Sequence, residues 1–126
     1  MRDVLKIAVV DDDQGIRDAL AGLISSLGSE PLCYESAEKF LASAERRDVA
    51  CIIVDVRMPG MNGLDLQNSL NAEGGAPPII FMTSYRDEHT RRRALTGGAA
   101  FFLGKPVEVT ELIDCIHSTL SRRLGK

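Results

Sequence analysis

The chain is short of cysteine, of long apolar runs and of excess positive charge, and each shortage excludes a class of protein. Its 126 residues include three cysteines with no C-x-x-C pair and no histidines at metal-ligand spacing, so we expect all three to be small core residues in a reducing compartment. No apolar run approaches the ~18 residues of a membrane span, and no signal-peptide pattern is present. The formal net charge of -3 argues against a protein that coats nucleic acid by bulk electrostatics. We therefore expect a cytoplasmic protein with no membrane partner.

What the chain does contain is a regular alternation of strand and helix patterns. Apolar strand patterns cover residues 5–10, 30–34, 51–54, 79–82 and 99–103. Helical patterns follow them at residues 14–27, 37–47, 64–73, 87–96 and 107–122. There is no repeat, low-complexity segment or internal linker, which fits a single domain. Short parallel strands joined by crossover helices form an α/β sheet that is covered on both faces.

The fourth helical pattern differs from the others because it is almost entirely polar. A helix at residues 87–96 can bury little surface, so we expect it to be held less firmly than its neighbours. Three consecutive arginines, residues 91–93, form either a solvated face or a surface for a partner or a second copy.

Polar residues at the carboxyl ends of the predicted strands are the main functional signal. They are Asp11, Asp12, Asp13, Asp55, Thr83 and Lys105. All strand carboxyl ends lie along one edge of a parallel sheet, so these side chains are expected to meet there. Three like charges at the end of one strand are hard to explain by folding alone.

This set of residues is suited to phosphoryl chemistry. Carboxylates from two neighbouring strands would repel one another unless a cation lies among them. Mg²⁺ fits, because it takes one or two carboxylates together with waters and a phosphate oxygen. Asp55 would then be a nucleophilic carboxylate, and Thr83 and Lys105 would contact the phosphoryl oxygens. The residues therefore predict an aspartyl phosphate and Mg²⁺ as the cofactor.

Four motifs, in this order, resemble the receiver domain of two-component response regulators. They are VVDDD at 9–13, VDVRMP at 54–59 with Gly63, FMTS at 81–84 and FLGKP at 102–106. The resemblance extends from about residue 5 to residue 120. It implies a flavodoxin-like fold, with strand order 2-1-3-4-5 and helices on both faces. We expect a receiver domain at residues 1–122, and a basic tail or the start of a linker at residues 123–126.

The resemblance also implies how the metal is bound. Asp55 would be the phosphoacceptor. Asp12, Asp55 and the backbone carbonyl of Arg57 would bind Mg²⁺ directly, and Asp11 would act through a metal-bound water. Asp13 stands where Glu is frequent in the family, and we expect it to lie outside the first metal shell.

Other residues would respond to the phosphoryl group or protect it. By resemblance, Thr83 and Lys105 contact the group, Thr83 and Phe102 act as switch residues, and the bond between Lys105 and the proline after it is often cis. Arg57 and Tyr85 occupy variable positions that influence how fast the group is lost. We expect these two large side chains to shield it from water and lengthen its lifetime.

The resulting hypothesis is phosphorelay signalling. A sensor histidine kinase would phosphorylate Asp55 stoichiometrically, so the chain is not expected to be an enzyme, although self-phosphorylation from small donors and self-dephosphorylation fit the site. The helix at 87–96, the last strand and the helix at 107–122 would form the output face, and a homodimer through that face is one form of the output. DNA would be contacted only by an output domain outside this chain, in keeping with transcription control.

Two other hypotheses use the same fold or chemistry. An aspartyl-nucleophile phosphatase also needs Mg²⁺, but its signature has a second acid two residues after the nucleophile, where this chain has Arg57. A phosphorylation-independent docking module would keep the fold without the chemistry, and the complete set of site residues argues against it.

Overall fold

A computed structural model of the chain describes residues 4–84 and 87–123. The strands are β1 (Lys6–Val10), β2 (Glu30–Tyr34), β3 (Val49–Asp55), β4 (Ile79–Thr83) and β5 (Phe101–Gly104). The helices are α1 (Gln14–Ser26), α2 (Ala37–Ala42), α3 (Gly63–Ala72), α4 (Glu88–Thr96) and α5 (Val109–Arg123). All strand pairs are parallel and the order is β2-β1-β3-β4-β5, which confirms the predicted sheet.

Two hydrophobic cores lie on opposite faces of the sheet. Every residue of the central strand β3 is buried, and its side chains alternate between the faces. Cys51 and Ile53 pack with α1 and α5, whereas Ile52 and Val54 pack with α2, α3 and α4. Burying each of the aliphatic side chains Ile52, Ile53 and Val54 contributes roughly 1.5–3 kcal/mol, so both faces hold β3 in place.

The segment predicted as one helix at residues 37–47 is two elements. The helix α2 ends at Ala42, and a 3-10 helix, Ala44–Asp48, follows it. Ser43 separates them because its hydroxyl accepts a hydrogen bond from the backbone N–H of Glu45, starting a new helical turn. The predicted basic last turn therefore belongs to the 3-10 helix, where Arg46 forms an ion pair with Glu73 at 2.9 Å.

The cysteine prediction is correct for two residues and wrong for the third. Cys51 and Cys115 are buried, but Cys33 is exposed. The difference arises because β2 is an edge strand with a neighbour on one side only. Within the described residues, every helix is too short or too polar to cross a bilayer.

The polar helix α4 buries little surface, as predicted. Ala94 is its buried residue, and Leu95 is exposed. Two side-chain amides of α3 reach its C-terminal end: Gln67 donates to the backbone carbonyl of Ala94 and Asn71 to that of Gly97, both at 2.9 Å. Hydrogen bonds from α3 therefore help to hold α4, which has little apolar packing of its own.

Candidate functional site

Acidic side chains from two adjacent strands meet at the carboxyl edge of the sheet. Asp55 ends β3, and Asp11 and Asp12 follow β1, its hydrogen-bonded neighbour. Asp11 and Asp55 are buried and Asp12 is exposed. One carboxylate oxygen of each of the three lies within 4.8 Å of those of the other two. The structure thus brings together three of the four acids that the strand pattern predicted to meet.

Lys105 reaches this acid cluster from the far side of the site. Its Nζ lies 2.8 Å from Oδ2 of Asp55 and 3.3 Å from Oδ2 of Asp11. Burial acts to lower the pKa of Lys105, but the hydrogen bond to Asp55 and the two carboxylate charges outweigh it and raise the pKa above its usual value. The peptide bond between Lys105 and Pro106 is cis. The lysine is therefore a firmly charged counter-ion of the acids.

Asp11 is strongly held within the site. Its Oδ1 accepts a hydrogen bond from the backbone N–H of Asp13 at 2.9 Å, and Arg17 Nη1 donates to its backbone carbonyl at 2.8 Å. Burial raises the pKa of Asp11, and the Asp13 N–H and the Lys105 charge offset this only in part. One ammonium therefore does not fully compensate this buried acid, and a second cation nearby would favour its ionised form.

The loop after β3 holds the other oxygen of Asp55. The backbone N–H of Arg57 donates to Asp55 Oδ1 at 3.1 Å. The loop closes on itself through a 2.9 Å hydrogen bond from the Gly63 N–H to the Val56 carbonyl. A Cβ at position 63 would lie 2.6 Å from the Asp55 carbonyl oxygen, so glycine permits this close approach. Arg57 itself is exposed.

Asp13 has a structural role outside the acid cluster. It is the N-cap of α1, and its Oδ1 accepts a hydrogen bond from the backbone N–H of Ile16 at 3.1 Å. Asp13 is not one of the three acids whose oxygens converge. This geometry fits the expectation that it lies outside the first metal shell.

Thr83 lies on β4, which is next to β3, and Phe102 lies on β5, the edge strand beyond β4. Thr83 is the buried last residue of β4, and its backbone carbonyl accepts a hydrogen bond from the Lys105 N–H at 2.7 Å. Phe102 is partly buried and packs against Phe81, its partner across the strands, with ring centroids 6.2 Å apart. It also lines an open cavity of about 320 Å³ beside α4. Tyr85, predicted to shield the site, lies outside the described residues.

The donor set fits a hard divalent cation. The converging side-chain groups are three carboxylates, and oxygen ligands of this kind suit Mg²⁺. Lys105 contributes one positive charge near three acids, so the cluster keeps an excess of negative charge. Three carboxylates do not complete octahedral coordination, which leaves positions for a backbone carbonyl, water and a phosphoryl oxygen.

Two residues that touch the site's backbone were not found from the sequence. Arg17 holds the Asp11 carbonyl, and Glu38 on α2 accepts a hydrogen bond from the backbone N–H of Met61 in the loop after β3. The helical spacing of α1 placed Arg17 within one turn of the acids, which is a weak signal. No sequence signal connects Glu38 with Met61, because the two residues come from separate elements.

The chain matches the family described as "Response regulator receiver domain" over residues 7–117. It is 39% identical over 114 residues to the response regulator protein TodT of Pseudomonas putida, covering 90% of this chain and 50% of that protein. It is 38% identical over 122 residues to the transcriptional regulatory protein FixJ of Azorhizobium caulinodans, covering 97% of this chain and 58% of that protein. The chain therefore spans about half the length of these relatives.

Solved structures of response regulators are also similar to this chain. The response regulator StyR superposes with a TM-score of 0.86 at 35% identity, over 98% of this chain and 64% of that one. FixJ-N superposes with a TM-score of 0.81 at 32% identity, over 94% of each chain. A CheY-like receiver domain from Methanospirillum hungatei has a TM-score of 0.90 over 98% of each chain, and at 24% identity it supports the fold alone. This chain belongs to the response regulator receiver domain family of two-component systems.

Proposed function

We propose that the chain is the phosphoacceptor domain of a two-component phosphorelay and that Asp55 is the acceptor. The observation that carries this proposal is the environment of the Asp55 carboxylate. One of its oxygens accepts the Arg57 N–H and the other accepts Lys105 Nζ, while Asp11 and Asp12 lie beside it. A carboxylate held in one orientation next to fixed positive charge is prepared for nucleophilic attack on a phosphoryl group.

The transfer takes the phosphoryl group from a phosphohistidine of the sensor kinase. A carboxylate oxygen of Asp55 forms the new O–P bond, and the P–N bond breaks. The electron pair of that bond returns to the imidazole nitrogen, which takes up a proton. Lys105 and Thr83 then contact the phosphoryl oxygens and stabilise their charge. Each chain accepts one phosphoryl group, so it acts stoichiometrically and does not turn over substrate.

Asp12, Asp55 and the Arg57 backbone carbonyl would hold Mg²⁺ directly, and Asp11 would act through a water. When bound, Mg²⁺ would neutralise charge on the phosphoryl oxygens. The excess of carboxylates over ammonium in the cluster supports this assignment.

Phosphorylation would be read out through Thr83, Phe102 and α4. If Thr83 moves toward the phosphoryl group, the partly buried ring of Phe102 can turn inward and change its contact with α4. The weakly packed α4, together with β5 and α5, forms the output face in this proposal, and a homodimer through that face is one form of output.

The cellular role that we propose is control of transcription. FixJ is named a transcriptional regulatory protein and is longer than the region matched here. By analogy, a cytoplasmic histidine kinase domain would phosphorylate this chain, and DNA would be contacted by a further domain that the present chain does not contain.

The test is labelling of Asp55→Asn by a small phosphodonor with Mg²⁺, followed by intact mass. We expect the native chain to gain one phosphoryl group and Asp55→Asn to gain none. Asp13→Asn is the matched control, because asparagine also caps helices and Asp13 lies outside the acid cluster. Stoichiometric labelling of Asp55→Asn would move the acceptor elsewhere. Failure of the native chain to bind beryllofluoride with Mg²⁺ would instead favour a docking module without phosphoryl chemistry.

A further inference from the structure

The loop between β3 and α3 is tied to α2 by a side chain outside the acid cluster. Oε2 of Glu38 lies 2.9 Å from the backbone nitrogen of Met61, which donates the hydrogen bond. This bond holds the pKa of the Glu38 carboxyl below its usual value, so the side chain is charged at neutral pH. An exposed glutamate is thus fixed to the backbone of another segment, 23 residues away in the chain.

The loop is shaped to receive this carboxylate. Gly60 has a φ of 74°, in the left-handed region that glycine adopts without strain. A Cβ at position 60 would lie 2.6 Å from Glu38 Oε2, so a side chain there would displace the carboxylate. The absence of a side chain at position 60 and the reach of Glu38 therefore create the contact together.

Both ends of this contact rest on firmly packed residues. Ala37 and Phe40, on either side of Glu38 in α2, are buried in the core on that face of the sheet. Met61 is partly buried and packs against the same core. Because α2 is held by its own packing, Glu38 is a fixed point to which the loop is attached.

The same loop determines the geometry at Asp55. It begins with Val56 and Arg57, and the Arg57 N–H donates to Asp55 Oδ1. It closes through the hydrogen bond from Gly63 to the Val56 carbonyl. Fixing Met61 near the end of this closed loop limits how far the Arg57 backbone can move.

We propose that Glu38 is a positioning residue for the phosphoacceptor site, holding the loop so that the Arg57 backbone faces the acid cluster. The inference rests on the proposed function, because it assigns Glu38 to the metal-binding half of that site. Glu38 is not one of the converging acids, and it acts through the Met61 N–H.

The experiment measures the affinity for Mg²⁺ alone, by isothermal titration calorimetry, in the native chain, three Glu38 variants and one control variant. Glu38→Ala removes the acceptor, and Glu38→Asp keeps the charge but shortens the reach. We expect both to weaken Mg²⁺ binding by about threefold to tenfold, the worth of one net hydrogen bond. Glu38→Gln keeps an acceptor oxygen at full reach and should stay within about twofold of the native affinity. Glu45→Ala, an equal charge change on the 3-10 helix, should leave the affinity unchanged.

The outcomes separate positioning from other roles. Native affinity in Glu38→Ala and Glu38→Asp would overturn the proposal, even if their thermal stability falls, because the role would then be structural only. A loss in Glu38→Gln equal to that in Glu38→Ala, with Glu38→Asp unaffected, would assign the effect to charge attraction and also overturn it. Failure of the native chain to bind Mg²⁺ would overturn the proposed function itself. That result comes from the native chain alone, so it is distinct from any effect of the Glu38 variants.

Discussion

Lys105, after the edge strand β5, donates a 2.8 Å hydrogen bond to Asp55 at the end of the central strand β3. It reaches past β4, which lies between these two strands in the sheet. The same ammonium lies 3.3 Å from Asp11 at the end of β1. One side chain therefore links the carboxyl ends of three strands and balances part of the charge of the acid cluster.

Replacing Lys105 with methionine should destabilise the chain and make its stability depend more on Mg²⁺. The three groups are mostly buried, with side-chain exposures of 15% for Lys105, 12% for Asp55 and 4% for Asp11. Removing one partner of a buried pair leaves uncompensated charge, so we expect the free energy of unfolding in EDTA to fall by about 3 kcal/mol. Added Mg²⁺ should recover more stability in Lys105→Met than in the native chain.

Urea unfolding with and without Mg²⁺ checks this, and Lys39→Met is the control. Lys39 forms an exposed ion pair with Glu35, so its loss should leave the urea unfolding curve close to that of the native chain. Equal stability of Lys105→Met and the native chain in EDTA would show that Lys105 does not stabilise the fold by balancing the charge of Asp11 and Asp55.

Gly63→Ala should impair both folding and phosphorylation. Its Cβ would lie 2.6 Å from the Asp55 carbonyl oxygen and 3.1 Å from the Phe81 ring, so the Asp55 backbone must shift. We expect a loss of about 1–3 kcal/mol in unfolding free energy and slower labelling by a small phosphodonor. Gly22→Ala on α1 is the control, since its Cβ would meet nothing within 4 Å beyond the adjacent backbone of its own helix, and the variant should gain up to about 1 kcal/mol in unfolding free energy. Native labelling kinetics in Gly63→Ala would contradict the close-approach argument.

Gln67→Ala should loosen α4 more than any other helix. Gln67 is buried, and its side-chain amide holds the Ala94 carbonyl. Loss of this side-chain amide should lower the unfolding free energy by about 1–3 kcal/mol and speed amide hydrogen exchange in α4. Asn68 is an exposed amide on α3, the helix that carries Gln67, and Asn68→Ala should change exchange in α4 little. If exchange in α4 is unchanged by Gln67→Ala, other contacts hold the helix.

Alkaline pH should destabilise the chain through Cys51. Burial raises the pKa of this thiol from 9.0 to about 11. The folded state keeps the proton, whereas the unfolded chain loses it above pH 9, so the stabilising contribution is complete below pH 9 and is lost between pH 9 and 11. Over that interval the native chain should lose roughly 2–3 kcal/mol more than Cys51→Ala, as measured by urea unfolding at each pH. If the native chain and Cys51→Ala lose the same unfolding free energy between pH 9 and 11, the Cys51 thiol does not contribute to the pH dependence.

The lifetime of the phosphorylated chain should depend on Arg57 and Tyr85. Arg57 is exposed on the loop that contacts Asp55, where a long side chain can limit the access of water to a phosphoryl group. We expect Arg57→Ala and Tyr85→Ala each to speed dephosphorylation severalfold. The measurement is the intact mass of the phosphorylated chain over time. Arg47→Ala removes the same charge from the exposed 3-10 helix and should leave the rate unchanged. Unchanged rates in both site variants would exclude shielding.

Some features could not be read from local patterns. The break in the second helix depends on the Ser43 hydroxyl taking the Glu45 N–H, which competes with continuation of the helix. The exposure of Cys33 depends on β2 lying at the edge of the sheet, and strand order is a property of the whole fold. In both cases the local sequence allows two outcomes with similar propensity.

The sequence by itself determined the alternation of strands and helices and the acids at the strand ends. Parallel crossovers bring all strand carboxyl ends to one edge, so the meeting of Asp11 with Asp55 follows from the pattern. Only the tertiary structure decided which side chains hold backbone groups of other elements, such as Glu38 on Met61 and Gln67 on Ala94, which are 23 and 27 residues apart. Such contacts depend on the distance and orientation of packed helices and loops, because a hydrogen bond forms only within a few tenths of an ångström of its best length.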